Sequence, residues 1–192
     1  MKYEPLKDGT TVLLRELDKE DVERSLRFFS ALPQEDRRYL RVDVTNREVV
    51  ERRLQQAVTG EVHRVVAVLE DEIVADGALE IAGDRWHGHM GEIRVIVARK
   101  YQRLRLGALL MQELFRVAEH RQVEKVVVKL LGPQMAARKI CDRLGFHVDA
   151  TLADYAKDSE GKLQDLVIMS CTLDEWWSEM KDFYRESNWP DG

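Results

Sequence analysis

The stretch from Gly91 to Leu110 constrains this chain more than any other: Gly-Glu-Ile-Arg-Val-Ile-Val-Ala-Arg-Lys-Tyr-Gln-Arg-Leu-Arg-Leu-Gly-Ala-Leu-Leu. Its first part, Glu92 to Val97, is rich in β-branched residues and reads as a buried strand. From Ala108 the apolar residues Leu109, Leu110, Leu114, Val117 and Ala118 fall at helical spacing. Between them, Gln102 to Gly107 is a polar, cationic turn. A strand that turns directly into a helix aims the helix's first N–H groups outward. These groups have no intrahelical partner, and the helix dipole adds partial positive charge, so the place favours an anion. Arg103 and Arg105 add full charges there. The stretch reads as a cradle for a phosphate-bearing ligand.

The rest of the chain can be ordered around it. Thr11 to Leu17 alternates between turn signals and reads as a first strand. Asp18 can cap a helix running to Phe29, and Pro33 marks a break. A second helix is expected from Arg47 to Val58, stopped by Gly60. Three strands should follow as a meander, Val62 to Leu69, Ile73 to Ile81 and Gly91 to Ala98. Then come a helix from Leu104 to Arg121, an apolar strand from Lys125 to Leu131, and a helix from Gln134 to Leu144 stopped by Gly145. Phe146 to Thr151 and Leu163 to Thr172 read as the last two strands, joined by a polar hairpin at Lys157 to Gly161. This order gives a mixed α/β sheet, not a doubly wound one. Residues 173–192 read as an aromatic helical extension to a domain of residues 1–172, with Trp176, Trp177, Met180, Phe183 and Tyr184 at helical spacing and Trp189 beyond.

Composition excludes several classes. With 192 residues, 44% of them hydrophobic, the chain suits one domain with a real core. A net charge of -5 leaves no excess of cations for general nucleic-acid binding. The two cysteines, Cys141 and Cys171, have no metal-ligand spacing and make a disulfide framework unexpected, which points to a reducing compartment. The N-terminus has no apolar core of a signal peptide, and no apolar run is long enough to span a bilayer. The expectation is a soluble cytoplasmic protein with no membrane partner.

The order of elements, with Val95-Ile96-Val97 followed by Gln102-Arg103-Leu104-Arg105-Leu106-Gly107-Ala108, resembles the GNAT superfamily of acetyl-CoA-dependent N-acetyltransferases. A second piece, Gln134 to Phe146 ending Arg143-Leu144-Gly145-Phe146, is similar to that family's asparagine-to-Leu-Gly-Phe helix. The resemblance covers residues 11–172. It implies a mixed, mostly antiparallel sheet of six to seven strands with helices on both faces, to which the C-terminal helix is extra. It implies acetyl-CoA as co-substrate, with no metal, and direct transfer of acetyl to a primary amine: a protein lysine, an N-terminus or a small amine. Val95, Ile96 and Val97 would pair with the pantetheine arm. Gln102, Arg103, Leu104, Arg105, Leu106, Gly107 and Ala108 would hold the pyrophosphate, with Gln134 also at the cofactor. A backbone N–H near Ile96 or Val97 would serve the developing oxyanion. Glu92, where many members carry a glutamate, would be the base, with Glu80 as runner-up.

Three positions depart from the family pattern. Arg105 stands where the first signature glycine is usual, and a side chain there is strained if the backbone needs φ > 0. Gln134 stands where asparagine is common. Cys141 stands where a tyrosine often returns the proton to the leaving thiolate; a thiol could do so, but a small buried apolar residue is the favoured reading. Tyr155 is a second candidate for that proton. The departures at Arg105 and Cys141 leave an alternative: a non-catalytic acyl-CoA-binding module. His87-Gly88-His89 makes a weak metal motif. The cluster Arg37-Arg38-Tyr39-Leu40-Arg41 lies in the region expected to set acceptor specificity and could meet an acidic substrate surface, but a solvated helix face is the favoured reading. The tail aromatics either cover the sheet or build a homodimer interface.

Overall fold

In the computed structural model, residues 1–81 and 83–185 are described, with side chains to residue 179. Eight strands form one sheet: β1 (Lys2–Pro5), β2 (Thr11–Glu16), β3 (Val62–Leu69), β4 (Glu72–Ile81), β5 (Met90–Val97), β6 (Lys125–Leu131), β7 (His147–Lys157) and β8 (Leu163–Thr172). Their order is β1-β2-β3-β4-β5-β6-β8-β7. Every neighbouring pair is antiparallel except β5–β6. The mixed, mostly antiparallel sheet is the expected one, with one more strand than six to seven. The addition is β1, four residues ending in proline, too short for a periodic signal. β7 also runs past the expected end at Thr151 to Lys157. It is exposed on both faces and carries register shifts at Val148/Ala150 and Leu152/Ala156, so it has no clean alternation to read.

The helices are α1 (Val22–Ala31), the single turn α2 (Gln34–Arg37), α3 (Arg47–Thr59), α4 (Leu106–His120), α5 (Met135–Arg143) and α6 (Leu173–Arg185). Asp18 caps a short 3-10 turn at Lys19–Asp21 rather than α1 itself. Asn46 caps α3 by accepting from the N–H groups of Glu48 and Val49, and Gly60 ends it at φ 78.

The two faces of the sheet differ. One packs on α4, where Leu106, Leu110, Leu114 and Phe115 are fully buried against Ile93, Leu79 and Ala67. Gly77 makes this close packing possible: a Cβ there would lie 3.0 Å from Leu114 Cδ1. Trp176 of α6 joins this core, stacked on Phe115 with ring centroids 3.9 Å apart. The other face packs on α1 and α3 through Phe28, Phe29, Val50 and Leu54. That second face also holds charge. Asp76 is buried between Arg64 and Arg53, each with a nitrogen 3.0 Å from Asp76 Oδ1. The Arg53 guanidinium lies 4.7 Å from the Phe29 ring centre. Burial pulls the Arg53 pKa down to about 10, although Asp76 opposes the shift. Among the described residues no helix is long and apolar enough to cross a membrane.

Candidate functional site

β5 and β6 pair only at their start, from Met90 opposite Lys125 to Glu92 opposite Val127. β5 then continues along β4 to Val97, while β6 continues along β8 to Leu131. Ile93 to Val97 and Val128 to Leu131 therefore face one another across a wedge with no ladder between them. Alternation says which groups line it. The Ala98 N–H donates to the Val74 carbonyl at 3.0 Å, on the β4 side. In an antiparallel ladder every second residue bonds to the same neighbour. Ile96 and Arg94 thus turn their backbone groups towards β4, and Val95 and Val97 turn theirs into the wedge. Of the three valine and isoleucine positions expected to hold a ligand arm, the two valines present backbone to it. Ile96 instead packs its side chain against the core under α1 and α3.

At the open end of the wedge the chain turns into α4. Gln102 Nε2 donates to the Val97 carbonyl at 3.0 Å. The Leu104 carbonyl accepts from the Lys7 N–H at 3.4 Å. Arg103 and Arg105 both adopt left-handed backbone, with φ of 61 and 74. Such a conformation costs an L-residue about 1–2 kcal/mol, and strain of this kind collects at functional sites. Arg105 is the N-cap position, no side chain caps the helix, and its first turn has no acidic residue. The first helical hydrogen bond runs from Leu109 N–H to the Arg105 carbonyl, at 3.1 Å. The N–H groups of Leu106, Gly107 and Ala108 precede it. This is a donor set suited to a pyrophosphate.

At the closed end of the wedge sits Glu92, on the face away from α4. Its side chain is 15% exposed, its Oε2 is 2.9 Å from Lys129 Nζ, and its Oε1 is ion-paired to Arg41. Arg94 approaches to 3.9 Å and also pairs with Glu80. Burial opposes the charge on Glu92, but Lys129 and Arg41 outweigh it and hold the carboxyl below the usual range. Lys129 was not among the expected site residues. Its signal was available: it is the one charge inside the aliphatic run Val126 to Leu131.

The segment from Pro33 to Arg41 lies across the wedge and is tied on both sides. On the β5 side, Arg99 holds Asp36 (2.9 Å) and Glu35 (2.8 Å). On the far side, Arg38 holds Asp158 (2.8 Å) and Glu160 (2.9 Å), and the Ser159 N–H donates to the Arg38 carbonyl at 3.0 Å. Asp158 is the buried hub of the β7–β8 turn and also accepts from Gln164 and from the N–H groups of Glu160 and Lys162. Burial opposes its charge, yet these bonds hold its carboxyl at about 2. An open cavity of about 710 Å³ is lined by strap residues, among them Pro33, Asp36 and Tyr39, together with Arg99 and Glu160.

The remaining candidates fall elsewhere. Cys141 is buried in the α4-side core, and burial, with help from Asp142, pushes its thiol up to about 11. That suits the small apolar reading better than a proton donor. Tyr155 is exposed on the irregular part of β7. Gln134 turns its carbonyl oxygen onto the Leu131 N–H at 2.8 Å, finishing β6. His87 pairs with Asp84, and the described residues gather no group of three metal-type ligands.

Residues 26–146 match the model of the acetyltransferase (GNAT) family. No curated protein matches. Solved structures do. One is a putative acetyltransferase of Salmonella typhimurium, yncA, determined with acetyl-CoA, 17% identical, covering 94% of this chain and 98% of its own, with a TM-score of 0.72. Another is the ribosomal-protein-S5-alanine acetyltransferase of Vibrio fischeri, 16% identical, covering 92% and 97%, with a TM-score of 0.75. A third is a GNAT-family acetyltransferase of Streptococcus pneumoniae, 20% identical, covering 84% and 99%, with a TM-score of 0.72. At these identities the likeness establishes the shared fold.

Proposed function

The chain belongs to the acetyltransferase (GNAT) family and is an acetyl-CoA-dependent acetyltransferase, and from that premise we propose that it passes the acetyl group directly to a primary amine, with no acyl-enzyme stage. The observation that carries this reading is the wedge between β5 and β6, with an uncapped helix start at its open end and a carboxylate at its closed end. Acetyl-CoA supplies an acetyl thioester. The N–H groups of Leu106, Gly107 and Ala108, with Arg103 and Arg105 beside them, hold its pyrophosphate. Gln102 and Leu104 shape that end of the site. The backbone groups of Val95 and Val97 pair with the pantetheine arm. The N–H that serves the developing oxyanion belongs to Val95 or Val97, since that of Ile96 faces β4.

An amine acceptor is protonated at neutral pH and must lose a proton before it can attack. Glu92 holds the ammonium and receives that proton. Its depressed pKa makes it an anchor as much as a base, because a carboxylate held low accepts a proton only briefly. Neither Cys141, buried in the core, nor Tyr155, exposed on β7, is held at the wedge, so the thiolate takes its proton from solvent in this reading.

Calorimetric titration with acetyl-CoA tests the donor half: saturable binding is expected, and its absence at millimolar concentration would sink the reading. For the acceptor half, Glu92→Gln should lower kcat for CoA release by about 100-fold. Unchanged turnover would remove Glu92 from the reaction.

A further inference from the structure

The cations around Glu92 say what kind of amine it receives. We propose that the acceptor is a small amino acid: a free amine with a carboxylate on a nearby carbon. This rests on the acetyltransferase reading above and narrows its acceptor.

Depth supports this assignment. The Glu92 side chain is 15% exposed, while Arg41 and Lys129, which grip its two oxygens, are 46% and 38% exposed. Glu92 therefore lies behind the two cations that hold it, with the second carboxylate, Glu80, beside Arg94 at the rim. Three cations, Arg41, Arg94 and Lys129, stand against two carboxylates, Glu80 and Glu92, so the cluster carries one excess positive charge. The strap's own clusters are acidic by one charge each, Arg99 facing Glu35 and Asp36 and Arg38 facing Asp158 and Glu160, so the cationic excess is confined to the groups that touch Glu92 and Glu80.

A purely cationic acceptor, such as a lysine side chain or a polyamine, would have to displace Arg41 or Lys129 and then lie beside them. Like charges at such distances repel by about 1 kcal/mol in water and several times more in a partly buried site. An amino acid meets no such conflict. Its ammonium takes Glu92, and its carboxylate takes the guanidinium of Arg41 and the Lys129 ammonium that Glu92 releases. Each existing ion pair is exchanged for an equivalent one, and the planar fork of arginine suits a carboxylate. Arg41 comes from the strap and Lys129 from β6, so the strap and one side of the wedge grip the same carboxylate.

The reaction then balances simply. The amine nitrogen bonds to the acetyl carbon, the carbon–sulfur bond breaks, and the sulfur keeps the electron pair. The ammonium gives up two protons in all: one returns to the thiolate to give free CoA, and the other leaves to solvent by way of Glu92. The product is an N-acetyl amino acid, whose nitrogen no longer carries charge and no longer holds to Glu92.

The test is a panel assay of CoA release with the twenty amino acids, their carboxamides, the corresponding decarboxylated amines and acidic peptides. At least one amino acid should show a kcat/KM 100-fold or more above that of its own carboxamide. In Arg41→Gln that ratio should fall below 10-fold, chiefly through KM for the amino acid. Lys129→Gln, which spares the strap, should narrow the same ratio. Carboxamides, polyamines or peptides that serve as well as amino acids would overturn the proposal, as would a ratio unmoved in both variants. A chain that binds acetyl-CoA by calorimetry yet acetylates no member of the panel would also overturn it. Failure to bind acetyl-CoA would instead strike the underlying reading.

Discussion

The two faces of the sheet solve opposite problems. Beneath α4 the packing is apolar and continuous, from Leu79 and Ile93 through Leu110, Leu114 and Phe115 to Trp176. Beneath α1, α3 and the strap, apolar packing is interrupted by charge: Arg53–Asp76–Arg64, Glu80–Arg94, and Arg41–Glu92–Lys129. The first face fixes the strand-to-helix turn that faces the donor. The second gives the acceptor something to recognise. A strand such as β5 serves both because its side chains alternate: Ile93, Val95 and Val97 go to one face, Glu92 and Arg94 to the other.

The contrast can be broken by mutation, and the largest effect is expected on the charged face. Asp76→Asn removes the anion between two arginines and leaves both cations buried. It should cost about 3–5 kcal/mol in denaturant unfolding. Leu110→Ala on the apolar face opens a cavity and should cost about 2–5 kcal/mol, at the lower end if the neighbours of Gly77 relax into it. An Asp76→Asn protein as stable as wild type would show that the charged face is held by its apolar residues alone.

A smaller effect separates the faces by pH. The folded state holds Asp158 at about 2, below its unfolded value. Its contribution to stability is therefore complete above about pH 4 and is lost as pH falls through about 2. Melting temperatures between pH 7 and pH 2 should fall for the wild type and fall less steeply for Asp158→Asn. A wild-type profile parallel to that of the variant would refute the hub.

The smallest effect concerns Arg105. Its φ of 74 suits glycine, so Arg105→Gly relieves strain worth about 1–2 kcal/mol while adding unfolded-state entropy worth about 0.5–1 kcal/mol. A net gain of about 0–1.5 kcal/mol is expected in chemical unfolding. Weaker acetyl-CoA binding should accompany it if the guanidinium reaches the pyrophosphate.

Much of this was legible in the sequence because periodicity survives burial. β3, β6 and β8 run between the residues expected, and α3 is one residue longer at its end. Arg105 is legible as a departure that is strained where φ is positive, and its φ is 74. The parting of β5 from β6 is not legible in the residues, because Val95 to Val97 and Val126 to Val128 look the same whether paired or not. The ion pairs of the strap were hidden for another reason. Arg38 and Asp158 lie 120 residues apart, and a single chain gives no sign that two charges so distant will meet. The tail was only partly reached: Trp176 lies in the core, whereas the expected positions at Met180, Phe183, Tyr184 and Trp189 fall outside the described side chains.

The strap's two tethers are not alike. Arg99 and Glu35 are 51% and 82% exposed, whereas the side chain of Asp158 is fully enclosed. Dissolved ions screen exposed charges beyond about 8 Å at physiological ionic strength and reach enclosed ones far less. Raising ionic strength is therefore expected to weaken the exposed Arg99–Glu35 pair more than the enclosed Arg38–Asp158 pair.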